Sequence, residues 1–302
     1  MKLNKLFSAL SLTLIISGTI FFSSSCSEKE PSNAFIWKTD INGSTFYLAG
    51  SIHSAKETDY PLPDIYIDSY NDAEVLILEL QRDFKGIEED IMRYAQKDTL
   101  SQEDYLDKYL DPNTIKKLED IIEKDRLDNY MKHEGWLLNM TIEGMKSKLV
   151  GYDPLLAIDK YFHDMATKDE KEIIGLDSIE TQIALFEFDA PLAMQVQIIE
   201  NAVNNMQSKA EGELPLFDAY FDYDIDLFNE TFISGFDLDN PQVKHAYDMV
   251  FTSRNKNWVK SFEELAAESP STYFVLVGAG HYFGPNNILQ LLEEKGYTVE
   301  KI

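Results

Sequence analysis

The chain has 302 residues, 44% hydrophobic and 26% charged, proportions that suit a globular protein with a sizeable core and exclude a disordered or fibrous one. Its 53 acidic and 27 basic residues leave a net charge of −26, which argues against nucleic acid as a partner because an acidic surface repels a phosphate backbone. Cys26 is the only cysteine, so no disulfide can form within the chain.

Residues 1–25 differ in kind from the rest. Lys2 and Lys5 precede an apolar stretch from Leu6 to Phe22, and Ser23, Ser24 and Ser25 lead into Cys26. This is the pattern of a signal peptide, and small residues before a cysteine resemble a bacterial lipoprotein processing site, at which Cys26 becomes the acylated N-terminus. Ser23 stands where Leu is usual in such sites. The apolar stretch, interrupted by Ser8, Ser11 and Ser17, is near the lower limit for spanning a bilayer, so a permanent membrane helix is the weaker reading. The sequence predicts an exported protein held at a membrane by its lipid, in the periplasm or at the outer membrane or cell surface. Residues 26–34 are the tether and 35–302 the folded body.

Order begins with a hairpin. Phe35 to Asp40 and Ser44 to Ala49 are strand-like runs around Asn42-Gly43, and the second ends in Gly50-Ser51-Ile52-His53. After Pro61 and Pro63 a short helix leads to Glu74-Val75-Leu76-Ile77-Leu78-Glu79-Leu80, a nearly continuous apolar run typical of a buried parallel strand. Asp111-Pro112 opens a helix in which Ile115, Leu118, Ile121 and Ile122 recur at helical spacing. Further helices are expected over 86–97, 133–150, 155–168, 178–187, 190–208, 241–253 and 255–268, with a short strand at Glu172 to Gly175. The fold class is therefore α/β: a central mixed or parallel sheet flanked by helices, with a long helical insertion.

The two ends of the body echo each other. Ser44-Thr45 to Gly50-Ser51-Ile52-His53 resembles Ser271-Thr272 to Gly278-Ala279-Gly280-His281, and each copy precedes a helix and another strand, which points to a duplicated unit. In open α/β sheets ligands bind beyond the carboxyl ends of parallel strands, where His53 and His281 both stand. A glycine three residues before each histidine lets the chain turn or approach a ligand closely. Glu79 ends its apolar run, so its carboxylate is placed at the same edge, where it could also cap the next helix or pair with Arg82. Two imidazoles and a carboxylate make a three-ligand set for a divalent metal cation with a position left for water or substrate. His133, His163 and His245 have no comparable setting.

Tyr47 to His53, the strand ending at Glu79, Gly151-Tyr152-Asp153, Leu176 to Gln182, Arg254-Asn255 with Trp258, and Val277 to His281 together resemble the TraB/PrgY/GumN family across Phe35 to Ile302. That family is related to the Tiki proteins, which look like metal-dependent proteases of secreted signals, and more distantly to erythromycin esterases and a haem-binding group. The resemblance implies catalytic roles for His53, Glu79, Arg254, Asn255 and His281. Asp177 departs from it, since Glu is common there. The expected chemistry is metal-assisted hydrolysis of a peptide or small-molecule substrate: His53, Glu79 and His281 hold the cation, Arg254 stabilises the oxyanion and Asn255 orients the substrate or a ligand. Arg254-Asn255 is also a plausible helix start. Two alternatives stay open, a metal-free esterase with histidine as general base and a binding protein that sequesters a peptide signal, metal or haem.

Overall fold

The computed structural model describes residues 34–81, 84–96, 105–185, 192–208 and 215–302. The signal segment, Cys26, nearly all of the tether and Arg82 lie outside the described residues.

β1 (Ile36–Ile41) and β2 (Ser44–Ser51) form the expected hairpin around Asn42 and Gly43, whose φ values of 49° and 88° are the left-handed conformations a two-residue turn needs. α1 (Asp64–Asp72) leads to β3 (Val75–Leu78), which is buried throughout, as an inner parallel strand must be. With β4 (Glu172–Gly175), β5 (Thr272–Gly278) and β6 (Val299–Lys301) they make a six-stranded mixed sheet in the order β4-β3-β5-β2-β1-β6. β2, β3, β4 and β5 pair in parallel, and β1 runs antiparallel to β2 and β6. The register sets Thr45 beside Thr272 and Ser51 beside Gly278, so the two similar runs lie side by side.

Alternation along the strands builds the layers. Phe274 points to one face, where its ring centre lies 5.0 Å from Phe162 of α6 (Ile158–Lys168) and 5.9 Å from Tyr70 of α1. Tyr273 points to the other and stacks at 4.6 Å on Phe46, which lies 5.5 Å from Phe262 of α12 (Ser253–Glu268). Each such buried ring contributes about 1.5–3 kcal/mol. α13 (Ile288–Glu294) connects β5 to β6. α2 (Phe84–Ala95), α3 (Pro112–Glu119), α4 (Lys124–Tyr130), α5 (Gly135–Leu149) and α8 (Leu192–Ser208) have an apolar core of their own, including Leu118, Leu138, Ile142, Ile199 and Val203, separate from the core around the sheet.

The expected strand 74–80 stops at Leu78, which leaves Glu79 just past its end. The two helices expected over 241–253 and 255–268 are α11 (Pro241–Tyr247) and α12, joined without a break by a π turn at Asp248–Thr252. α4, α9 (Pro215–Phe221) and α10 (Ile225–Ser234) were not expected. Each has ten residues or fewer, too short for an apolar period to stand out. No helix among the described residues is long and apolar enough to cross a membrane.

Candidate active site

Because β2, β3 and β5 are parallel, their carboxyl ends deliver His53, Glu79 and His281 to one edge of the sheet. Their meeting point is Gly278. A Cβ built on it would lie 3.3 Å from Glu79 Oε1, 3.7 Å from His281 Cδ2 and 3.9 Å from His53 Nε2. The start of α12 brings Arg254 and Asn255 to the same place, so all five expected site residues come together.

Arg254 is the hub. Its side chain is 6% exposed, and it pairs through Nη2 with Glu79 Oε2 and through Nε with Asp177 Oδ2 at 2.8 Å. Nη1 donates to the Val250 carbonyl at 3.1 Å, in the π turn, and to His281 Nε2 at 3.2 Å. The guanidinium also lies 4.5 Å from the Trp258 ring centre. Gln182 of α7 (Ile179–Ala184) braces the two carboxylates, donating to Glu79 Oε2 at 3.0 Å and to Asp177 Oδ2 at 2.9 Å. Trp258 Nε1 donates to Asp177 Oδ1 at 2.8 Å. Burial alone would raise the pKa of Glu79, but the positive charge of Arg254, the nearby imidazoles and the Gly278 N–H outweigh it and hold the carboxyl well below its ordinary range.

The two histidines are in opposite states. His281 is buried between Trp258 and Phe251, with ring centres at 4.3 and 5.0 Å. Asn255 Nδ2 donates to the Asn286 carbonyl at 2.9 Å, which turns Asn255 Oδ1 toward His281 Nδ1 at 2.6 Å. Arginine can only donate, so His281 Nε2 accepts from Arg254 and Nδ1 carries the proton. Burial pushes the His281 pKa down to about 3, helped by the charge of Arg254, so the ring is neutral. His53 has 67% of its side chain exposed, and its Nδ1 lies 3.2 Å from Asp159 Oδ1 near the start of α6. The Asp159 charge pushes the His53 pKa up to about 9, against a smaller opposing effect of desolvation. An ion pair this exposed adds little to stability because solvent screens it.

Acid stability follows from His281. An unfolded histidine binds a proton near pH 6.5 and the buried one only near 3, so the unfolded state gains protons first and stability falls as pH drops through that window. Between pH 6.5 and 4.5 the loss should be roughly 2–3 kcal/mol, read from urea midpoints. A flat profile over that range would mean that His281 is not buried neutral.

The three expected metal ligands converge, yet their donor atoms are committed. Glu79 Oε1 accepts from Gly278 N–H at 2.9 Å, Glu79 Oε2 accepts from Gln182 and Arg254, and the His281 Nε2 lone pair takes an Arg254 N–H. A guanidinium in that position also repels a divalent cation. Among the described residues no group of three or more His, Cys, Asp or Glu is arranged to hold a metal ion. As they stand, these residues do not fit a three-ligand site.

Asp159 carried no signal beyond being an acid in the first turn of an expected helix. Asp177 and Gln182 lie in the segment Leu176 to Gln182, and their pairing with Arg254 and Glu79 depends on how α7 and α12 pack. His133 is buried with Nδ1 on the Asn129 carbonyl at 2.7 Å, and His163 and His245 lie away from the strand ends on α6 and α11.

The family described as TraB/PrgY/gumN matches residues 35–301. The chain is 22% identical over 255 residues to a protein of Escherichia coli (strain K12) called "Uncharacterized protein YbaP", covering 82% of this chain and 87% of the relative. It is 22% identical over 254 residues, with the same coverage, to the protein of that name from Shigella flexneri. No solved structure matches. Because the family match runs through nearly all of the folded body and includes every residue of the site, the chain belongs to the TraB/PrgY/gumN family.

Proposed function

We propose that this protein is a hydrolase of carbonyl substrates, esters or peptides, acting outside the cytoplasm, with His53 as the group that moves the proton. The observation that carries this is the exposure of His53. Of the five expected site residues it alone reaches solvent freely, with Nδ1 tied to Asp159 and Nε2 turned toward Glu79 and Gly278. Neutral His53 takes a proton from water as the water oxygen bonds to the carbonyl carbon, and the carbonyl electron pair moves onto its oxygen. When that intermediate collapses, the alcohol or amine leaves with the proton from His53. Asp159 stabilises the imidazolium formed between the two steps. Arg254 supplies a fixed positive charge behind the reacting centre, and Asn255 acts through His281.

Metal-assisted hydrolysis, with His53, Glu79 and His281 on a divalent ion, is the second reading. Its support is that both histidines have Nδ1 held by a protein oxygen and Nε2 directed inward, the usual arrangement of ligand histidines. It requires Arg254 to withdraw from His281.

Purified full-length protein assayed on p-nitrophenyl esters and short peptides, before and after chelation and with its metal content measured, separates these readings. Turnover should survive chelation and climb about tenfold per pH unit below 9, because only the neutral form of His53 acts as a base. Activity lost on chelation and restored by a divalent ion would establish the metal-assisted route instead. Tight stoichiometric binding with no product would make the protein a sequestering one. In fractionated cells Cys26→Ser should move the protein from the membrane to the soluble fraction, as expected if two acyl chains are its anchor.

A further inference from the structure

The chain enters the folded body at the edge of the sheet that carries the candidate site. Ala34, where the described residues begin, is 2% exposed, and its carbonyl accepts from Lys301 Nζ and from the Ile36 N–H at 2.8 Å. β1 runs antiparallel to β2, so its start lies beside the end of β2, and the Gly50 N–H donates to the Phe35 carbonyl at 2.7 Å. His53 is three residues beyond Gly50. The tether therefore joins the body close to the site, at the carboxyl ends of the parallel strands.

Chain length turns this into a limit on orientation. Eight peptide steps separate Cys26 from Ala34, so the two can be no more than about 30 Å apart. β2, with eight residues, is about 25 Å long. Turning the opposite edge toward a membrane that holds Cys26 would raise Ala34 by about that length, at a cost in conformational entropy of the tether.

A second observation is what each edge exposes. α10 lies over the carboxyl edge, with the Phe228 ring centre 4.9 Å from that of Phe35 and Phe232 packed so closely on Gly280 that an added Cβ would come within 2.7 Å of the ring. Its Leu227 and Ile233 are 45% and 38% exposed. The turn Pro154–Leu156 is held against the chain that follows β2 by backbone bonds between Ala55 and Asp153 and from the Ile158 N–H to the Ile52 carbonyl, and its Leu155 is 62% exposed. The opposite edge exposes Asn42, Gly43, Asn71, Asp72 and Glu74 instead.

We propose that the carboxyl edge of the sheet docks on the bilayer that holds the Cys26 lipid, with Leu155, Leu227 and Ile233 at the lipid interface. These side chains gain by leaving water there, and the acyl chains keep the edge within reach. The docking rests on the anchor reading of Cys26 and is independent of the chemistry at His53. It turns the candidate site toward the membrane surface.

The test uses the full-length acylated protein on phosphatidylcholine vesicles that carry a rhodamine-labelled lipid. Acylated Cys26 has no free thiol, so a fluorescent donor attaches only to an introduced cysteine: Leu155→Cys or Leu227→Cys at the carboxyl edge, Asn71→Cys at the other. All three positions are exposed, so urea midpoints should not change. Energy transfer to the lipid should remove most of the donor emission at 155 and 227 and distinctly less at 71. Equal transfer from the two edges, or more from 71, overturns the proposal. Intact mass of the vesicle-bound protein reports the lipid on Cys26. Bound protein without it would sink the anchor reading and the proposal with it, whereas acylated protein with equal transfer from both edges would sink the docking alone. Transfer needs no turnover, so it decides the orientation whether or not the protein hydrolyses carbonyl substrates.

Discussion

Arg254→Met should destabilise the protein by about 3–5 kcal/mol, the usual penalty for removing one partner from a buried charge network. The methionine fills much of the same volume, so the loss is electrostatic. It leaves Glu79 and Asp177, with side chains 15% and 6% exposed, facing each other through Gln182 with no cation between them. His281 Nε2 and the Val250 carbonyl lose their donor in the same step. Arg254→Lys should recover little, because one ammonium cannot reach Glu79, Asp177 and His281 together as the planar guanidinium does. Adding Glu79→Gln and Asp177→Asn to Arg254→Met should restore at least half of the lost stability, since the uncompensated charges are then gone. Urea midpoints of the three variants measure this. A single-variant loss below about 1 kcal/mol, the range of a surface pair, would show that Arg254 is not the buried hub.

His53→Ala should lower kcat/KM by about two to four orders of magnitude, the range for loss of a positioned acid-base group, and leave the unfolding midpoint unchanged. The second half follows from exposure, because a side chain 67% open to solvent with a single exposed partner gives the fold almost nothing. His281→Ala should behave differently. It removes a buried ring from between Trp258 and Phe251 and leaves Arg254 and Asn255 without their partner, so turnover and stability should fall together. His133→Ala, His163→Ala and His245→Ala should leave turnover as it is. A His53→Ala variant that keeps its turnover would remove His53 from the chemistry, and the Asp159 pairing would then be a surface contact.

The parts of this protein legible in the sequence are those whose physics is local. Asn42-Gly43 between two strand-like runs specifies a hairpin because only such a pair takes up two left-handed residues cheaply. The apolar run through Leu78 must be an inner strand, and a charged residue directly after it must emerge at the sheet edge, which is where Glu79 lies. Matching Gly-x-x-His runs after two parallel strands likewise put both histidines at one edge. Sequence therefore determined that His53, Glu79 and His281 meet, and the family resemblance added Arg254 and Asn255. It did not determine what they do to one another, because that depends on partners far apart in the chain. Arg254 reaches Glu79 across 175 positions and His53 reaches Asp159 across 106, each contact set by how α12 and α6 pack on the sheet. Only the tertiary structure set the Arg254 guanidinium against both Glu79 and His281, and made one histidine buried and neutral and the other exposed and basic. The physical reason is that charge state belongs to the packed surroundings of a side chain, and two matching Gly-x-x-His runs in one sequence carry no record of those surroundings.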